Sequence, residues 1–263
     1  MAESSSRPDW RLPRGVTRAL AEHAQLSDVA LAYDERFSVG DGGELDEKIL
    51  NKYVQPPGLV VDLGSGAGRL AVPLARRGLR VVAVDLSRPA LKALRARSDL
   101  DGLSIECLVA NLVELDALRD GTADYCISMF STLGMIRGHE NRRQFLRHVR
   151  RILRPGGRFV LHVHNRWYHL WQQQSRGWFL RNLFQSLTRR DVEAGDKYFT
   201  YHGVPNMFVH AFTRRELLSD LRSASLRVET LIPLSIERRH PLKMPWLLGS
   251  IRAGGWIAVC KRR

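Results

Sequence analysis

Apolar and polar positions along the chain fall into two alternating rhythms. LVVDL (59–63), LRVVAVDLS (79–87), LSIECLVANL (103–112), ADYCISMF (123–130) and RFVLHVH (158–164) are short, mostly apolar runs. Such runs predict strands buried on both faces. Between them, GRLAVPLARRG (68–78), RPALKALRARS (88–98) and ENRRQFLRHVRRILRPGG (140–157) place apolar residues at three- and four-residue spacing. These predict helices, the first stopped by Gly78, the second capped by Ser87 and the third ended by Pro155-Gly156-Gly157. Strands alternating with helices of this length imply parallel βαβ units, and so an α/β sheet wound on both faces.

The flanks follow other patterns. Residues 16–37 predict helix, GDGG (40–43) breaks it, and ELDEKILNKYV (44–54) resumes it up to Pro56-Pro57. Residues 165–206 are rich in Trp, Arg and Gln. FTRRELLSDLRSASL (212–226) then predicts a helix, and RVETLIPLSI (227–236) and GGWIAVCKR (254–262) predict strands. With no helix of convincing length between them, the last two strands are expected to pair antiparallel at the sheet edge.

Composition narrows the class. The chain has 263 residues, 44% hydrophobic and 26% charged, an ordinary globular mixture that buries a sizeable core. No apolar run approaches the roughly 20 residues of a membrane-spanning helix. The opening MAESSSRPDWRLPRG (1–15) has no apolar stretch of the secretory kind and reads as a disordered tail. Cys107, Cys126 and Cys260 stand far apart, so neither a disulfide framework nor a metal site is expected, and a cytoplasmic location is. The net charge is +14, and only six of the 41 basic residues are lysines. That balance could serve RNA, DNA or an anionic membrane. It could equally reflect the codon usage of a GC-rich genome.

The chemistry concentrates in VVDLGSGAGRLAVPLA (60–75). Glycines between a strand and a helix let backbone approach a ligand, beside the free N–H groups of the helix. A phosphate-binding P-loop would need Lys and Ser/Thr after its last glycine, and no lysine follows Gly64 until Lys92. A dinucleotide site prefers GxGxxG; here Arg69 stands where the third glycine would fall.

The acid-before-glycine form DLGSGAG resembles motif I of class I S-adenosylmethionine-dependent methyltransferases, close to the methyltransferase domain types 11 and 25. Asp85, at the end of the second strand and 17 residues after Gly68, can accept both hydroxyls of a ribose, as it would in a nicotinamide site too. ANLVELDAL (110–118) follows the third strand, ADYCISMFSTLGMI (123–136) resembles motif IV, and RRILRPGGRFVLHVHN (150–165) resembles the helix–PGG–strand beyond it. The resemblance implies a Rossmann-like seven-stranded sheet with an antiparallel last strand and S-adenosyl-L-methionine as cofactor. It implies cofactor contacts from Asp62, Gly64, Ser65, Gly66, Gly68, Asp85, Leu86, Asn111, Leu112 and Met129, and from Tyr33 in an N-terminal helix closing over the site.

The implied organisation is a tail (1–15), a helical cap (16–57), the cofactor-binding core (58–165), a substrate-capping insertion (166–206), and a C-terminal helix with edge strands (207–263). Methyl transfer needs alignment more than a base. His164, at the end of the fifth strand, and His139 are the candidate bases. Asn165, Trp167, Tyr168, Tyr198 and His202 are candidate substrate contacts. The fourth strand ends without [ND]PP[YFW], and no cysteine stands at the sheet's mouth. This argues against a nucleobase-amine methylase and against a covalent pyrimidine mechanism. The expected acceptor is a small molecule, methylated at O or N. An RNA acceptor and a non-catalytic cofactor-binding protein are the alternatives. The arginines of the helix over 139–154 are expected to face water.

Overall fold

The computed structural model describes residues 11–26, 43–171, 175–201 and 203–263. Tyr33 and His202 lie outside these residues. Seven strands form one sheet in the order β3-β2-β1-β4-β5-β9-β8. Here β1 is Leu59–Leu63, β2 Arg80–Asp85, β3 Ile105–Val109, β4 Ala123–Ser128 and β5 Leu153–His164; β8 is Leu226–Leu234 and β9 Gly255–Arg262. Strands β3, β2, β1, β4 and β5 pair in parallel. β9 pairs antiparallel with both β5 and β8. The last strand is therefore interior, with β8 at the edge. The burial of β9 explains this: Gly255 to Cys260 are all buried, which an edge strand cannot achieve.

Helices cover both faces. α1 (Arg18–His23) and α2 (Gly43–Tyr53) precede the sheet; α3 (Ala71–Arg76) and α4 (Arg88–Leu100) follow β1 and β2. The short α5 (Thr132–Met135) and the long α6 (His139–Ile152) lie between β4 and β5. α8 (Arg214–Ser223) precedes β8, and the four-residue α9 (Gly249–Arg252) precedes β9. Ser87 caps α4 by accepting from Ala90 N at 3.3 Å, and Thr213 and Glu216 form a capping box at α8. One core packs Phe145, Leu146 and Val149 of α6 against Phe159 and Leu161 of β5. The other packs Leu74 of α3 and Leu94 of α4 against Val60 and Val81.

Three expectations change. β5 begins at Leu153, not at 158, because Leu153 pairs with Ala123 before the ladder shifts register. The insertion contains a 3-10 turn (Arg166–Leu170), α7 (Arg176–Thr188) and a separate hairpin of β6 (Asp196–Tyr201) and β7 (Val204–His210). It thus returns to the core at 211 instead of 206. The arginines of α6 do not all face water. Arg142 is fully buried against Glu193, and Arg151 donates to the carbonyls of Leu115 and Leu118 and pairs with Asp120.

Candidate functional site

The carboxyl ends of β1, β2 and β4 open onto one cleft, as the switch point of a doubly wound sheet requires. Asp62, Gly64, Ser65, Gly66, Asp85 and Leu86 line it from β1 and β2, and Asn111, Leu112, Met129 and Phe130 line it from β3 and β4. The three glycines of the turn have three separate reasons to be glycine, all at positive φ. A Cβ on Gly64 would lie 2.5 Å from Thr132 Cγ2, and one on Gly68 2.3 Å from Leu94 Cδ1. A Cβ on Gly66 would meet nothing within 4 Å and would occupy the cleft itself. Gly68, expected among the cofactor contacts, instead lets α4 pack closely and does not line the cleft.

Asp85 holds the turn. One carboxylate oxygen accepts from Gly66 N and the other from Ser87 N, both at 2.8 Å. The carboxylate keeps lone-pair capacity for an incoming hydroxyl. Asp62 is different. It is 3% exposed, no protein group donates to its carboxylate among the described residues, and burial raises its pKa to about 7 against the opposing pull of Arg69. Ser65 Oγ beside it is buried without a hydrogen-bond partner. A buried acid and hydroxyl left unsatisfied cost stability unless a ligand completes them. A ligand with an ammonium group, an adenosine ribose and no pyrophosphate fits this donor set.

Asn111 lines the cleft and is also tied into the protein. Its Oδ1 accepts from Val113 N at 3.2 Å and its Nδ2 donates to Arg14 O at 3.0 Å. Arg14 and Gly15, expected in a disordered tail, are thereby held, Gly15 O accepting from Arg137 N. Gly15, Val16, Leu20 and His23 form the roof of the cleft. Sequence reasoning missed these, because nothing in RLPRGV announces a contact made 97 residues away.

Just beyond β4 come two consecutive left-handed residues, Phe130 (φ 56°) and Ser131 (φ 63°). Non-glycine residues rarely adopt this conformation, and where they do it favours a functional constraint. The turn sets Phe130 into the cleft beneath the Arg238 guanidinium, 5.0 Å away. Arg238 in turn pairs with both oxygens of the buried Asp46 at 2.7 Å, and Arg69 pairs with the same carboxylate at 2.9 Å. This Arg69–Asp46–Arg238 bridge ties the glycine turn to α2 and to the loop after β8; no local motif marks it.

The candidate bases do not converge. His164 stands at the end of β5, its backbone N donating to Ser131 Oγ at 3.3 Å. Burial and the charges of Arg238 and Lys197 push its pKa down to about 4. It is neutral at pH 7 but a weak base. His139 starts α6, where Nε2 meets Asp220 Oδ1 at 2.8 Å, away from the cleft.

Of the expected substrate contacts, Asn165 is consumed by structure. It caps the 3-10 turn through Trp167 N and donates to the carbonyls of Ser250 and Ala253. Trp167 packs on Phe179, Tyr168 on His169 and Tyr198 on Phe208; none of the three lines the cleft. Tyr201, at the tip of the hairpin, does.

Residues 61–161 match the family described as "Methyltransferase domain". The chain is 35% identical over 112 residues to a ribosomal protein L11 methyltransferase of Pelotomaculum thermopropionicum, covering 40% of this chain and 35% of that one. It is 30% identical over 153 residues to a ubiquinone biosynthesis O-methyltransferase of Xanthomonas axonopodis, covering 55% and 62%. The chain thus spans less than two thirds of the length of these curated relatives. Among solved structures, a 1,6-didemethyltoxoflavin-N1-methyltransferase of Burkholderia thailandensis shares the fold with a TM-score of 0.62. Its identity is 17%, over 93% of this chain and 87% of that one. Over residues 61–161 the chain therefore matches a methyltransferase domain, set in a fold that solved S-adenosylmethionine-dependent methyltransferases share.

Proposed function

We propose that the chain binds S-adenosylmethionine in the β1–β2–β4 cleft and transfers its methyl group to O or N of a small-molecule acceptor. The observation that carries this is the buried, unpartnered Asp62 carboxylate beside an orphaned Ser65 hydroxyl, on a turn whose Gly66 opens into the cleft. Bound S-adenosylmethionine supplies an electrophilic methyl on a sulfonium leaving group. Asp62 faces its ammonium end, Asp85 its ribose, and Leu112 and the N-terminal roof its adenine. Phe130, Tyr201 and the insertion hairpin shape the acceptor side. No base is assigned, since alignment of acceptor, methyl and sulfur is the protein's main contribution.

The small-molecule reading draws support from the toxoflavin-precursor and ubiquinone-pathway relatives. Calorimetric titration with S-adenosylmethionine and, separately, NADH tests the cofactor. Micromolar binding of the first, lost in Asp85→Ala, is the expected result; binding of NADH alone overturns the proposal. Labelled methyl donor with small-molecule and RNA fractions of an extract then separates the acceptors. The net charge of +14 supports RNA as a second reading, which requires turnover that falls steeply with salt. Cofactor binding without transfer to any fraction would indicate a non-catalytic protein.

A further inference from the structure

α7 turns its apolar side away from the protein. Leu180, Leu183, Phe184 and Leu187 recur at i, i+3, i+4 and i+7, within an arc of about 100°. They are 65%, 41%, 66% and 80% exposed. Only Phe179 and Asn182 of this helix are buried. A second exposed apolar segment lies between β8 and α9, where Met244, Trp246, Leu247 and Leu248 are 53%, 80%, 44% and 62% exposed. α7 and α9, the helix that follows the second segment, pack against the same 3-10 turn. Arg176 at the start of α7 donates to Leu170 O, and Trp171 donates through its indole N–H to Ile251 O in α9. Trp171 is itself half exposed.

The charge around these segments is mainly positive, with Asp191, paired to Arg189, and Glu237 as the acids at their borders. No Asp or Glu occurs between Glu140 and Asp191, a stretch holding twelve arginines, and none follows Glu237. The stripe of α7 is accompanied by Arg176, Arg181 and Arg190, and the second segment by Lys243 and Arg252. Large exposed apolar patches on a soluble fold mark an interaction surface. A second copy of the same face would bring like charges together. RNA would use the arginines but leave Leu180, Leu187 and Leu248 without a partner. An anionic bilayer takes both, since its headgroups attract the basic rim and its acyl boundary receives Leu, Phe and Trp.

We propose that the exposed stripe of α7, together with the 244–248 segment, docks the protein peripherally on an anionic lipid surface. No described helix is long and apolar enough to cross a membrane, so the contact is one of lying on the surface. Docking would bring the insertion that covers the acceptor side of the cleft to the bilayer, where lipophilic acceptors reside. The docking itself does not depend on the methyltransferase reading.

The test is co-flotation of the full-length protein with vesicles of phosphatidylcholine and phosphatidylglycerol, against vesicles of phosphatidylcholine alone, at low and high salt. The expected result is partition onto the anionic vesicles that weakens with salt and falls roughly tenfold or more in Phe184→Glu/Leu187→Glu. Trp246→Glu should weaken it independently. Leu100→Glu, at an 87% exposed leucine on α4, should leave it unchanged, and an unaltered unfolding midpoint in each variant shows that the fold persists. The proposal is overturned if the wild type ignores anionic vesicles, or if Leu100→Glu lowers partition as much as the α7 variant. It is also overturned if the α7 substitutions abolish a dimer or RNA binding while vesicle partition stays at background.

Discussion

Replacing Asp62 by Asn tests the cofactor reading through stability and binding at once. The carboxyl is buried, without a donor, and raised from 3.8 to about 7. In the folded protein it therefore keeps its proton between about pH 4 and 7, whereas the unfolded chain releases it. The folded state binds more protons over that window, so this group's contribution to stability falls as pH rises through it and levels off above about 7. The full penalty corresponds to about 4 kcal/mol, a ceiling that structural relaxation reduces. Asn mimics the protonated acid in shape and carries no charge. Asp62→Asn should thus match the wild type near pH 4 and exceed its stability by up to about 4 kcal/mol at pH 8. Binding should go the other way. An ammonium group on the ligand pairs with the ionised carboxylate, so wild-type affinity for S-adenosylmethionine should tighten from pH 6 to 8, while the variant binds weakly and without that slope. Urea denaturation from pH 4 to 9 and calorimetry from pH 6 to 8 read the two effects. A variant no more stable than the wild type at pH 8, with ligand affinity unchanged, would refute the reasoning.

Other expectations follow from the same geometry. Gly68→Ala drives a Cβ into Leu94 at a left-handed position and should cost about 2 kcal/mol or more in denaturant. Gly66→Ala meets no atom and should cost about 1 kcal/mol, yet weaken cofactor binding severely, because its methyl occupies the cleft. Should the paired measurements come out alike, the separate roles of the two glycines would be wrong. With its pKa near 4, His164 cannot produce an inflection in the rate between pH 6 and 8, and a profile that loses such an inflection in His164→Gln would contradict this. His210 sits between Asp196 and Glu216 at 2.8 and 2.7 Å and its pKa is raised. That clamp is complete below about 6.5 and weakens as pH rises through the folded-state value. Hydrogen exchange in 196–210, corrected for its intrinsic pH dependence, should rise with pH in the wild type and lose that dependence in His210→Gln.

The local pattern was enough for the five parallel strands and the helices between them, because buried strands and amphipathic helices differ in apolar period whatever they pack against. It was enough, too, for the glycine turn and the two acids at strand ends, because short-range backbone geometry demands those residue types. The interior place of β9, the docking of Arg14 and Gly15 over the cleft, the Arg69–Asp46–Arg238 bridge and the use of Asn165 as a cap were decided only by the tertiary fold. Each depends on groups far apart in the chain, and no local period encodes which distant carbonyl or carboxylate a polar side chain will meet. The aromatic run after β5 shows the same division. Its residues announced an insertion, but only the packed structure separated Trp167 and Phe179, turned toward each other, from Leu180, Phe184 and Leu187, turned outward. Burial, not sequence spacing, decides which side of a short helix meets the protein.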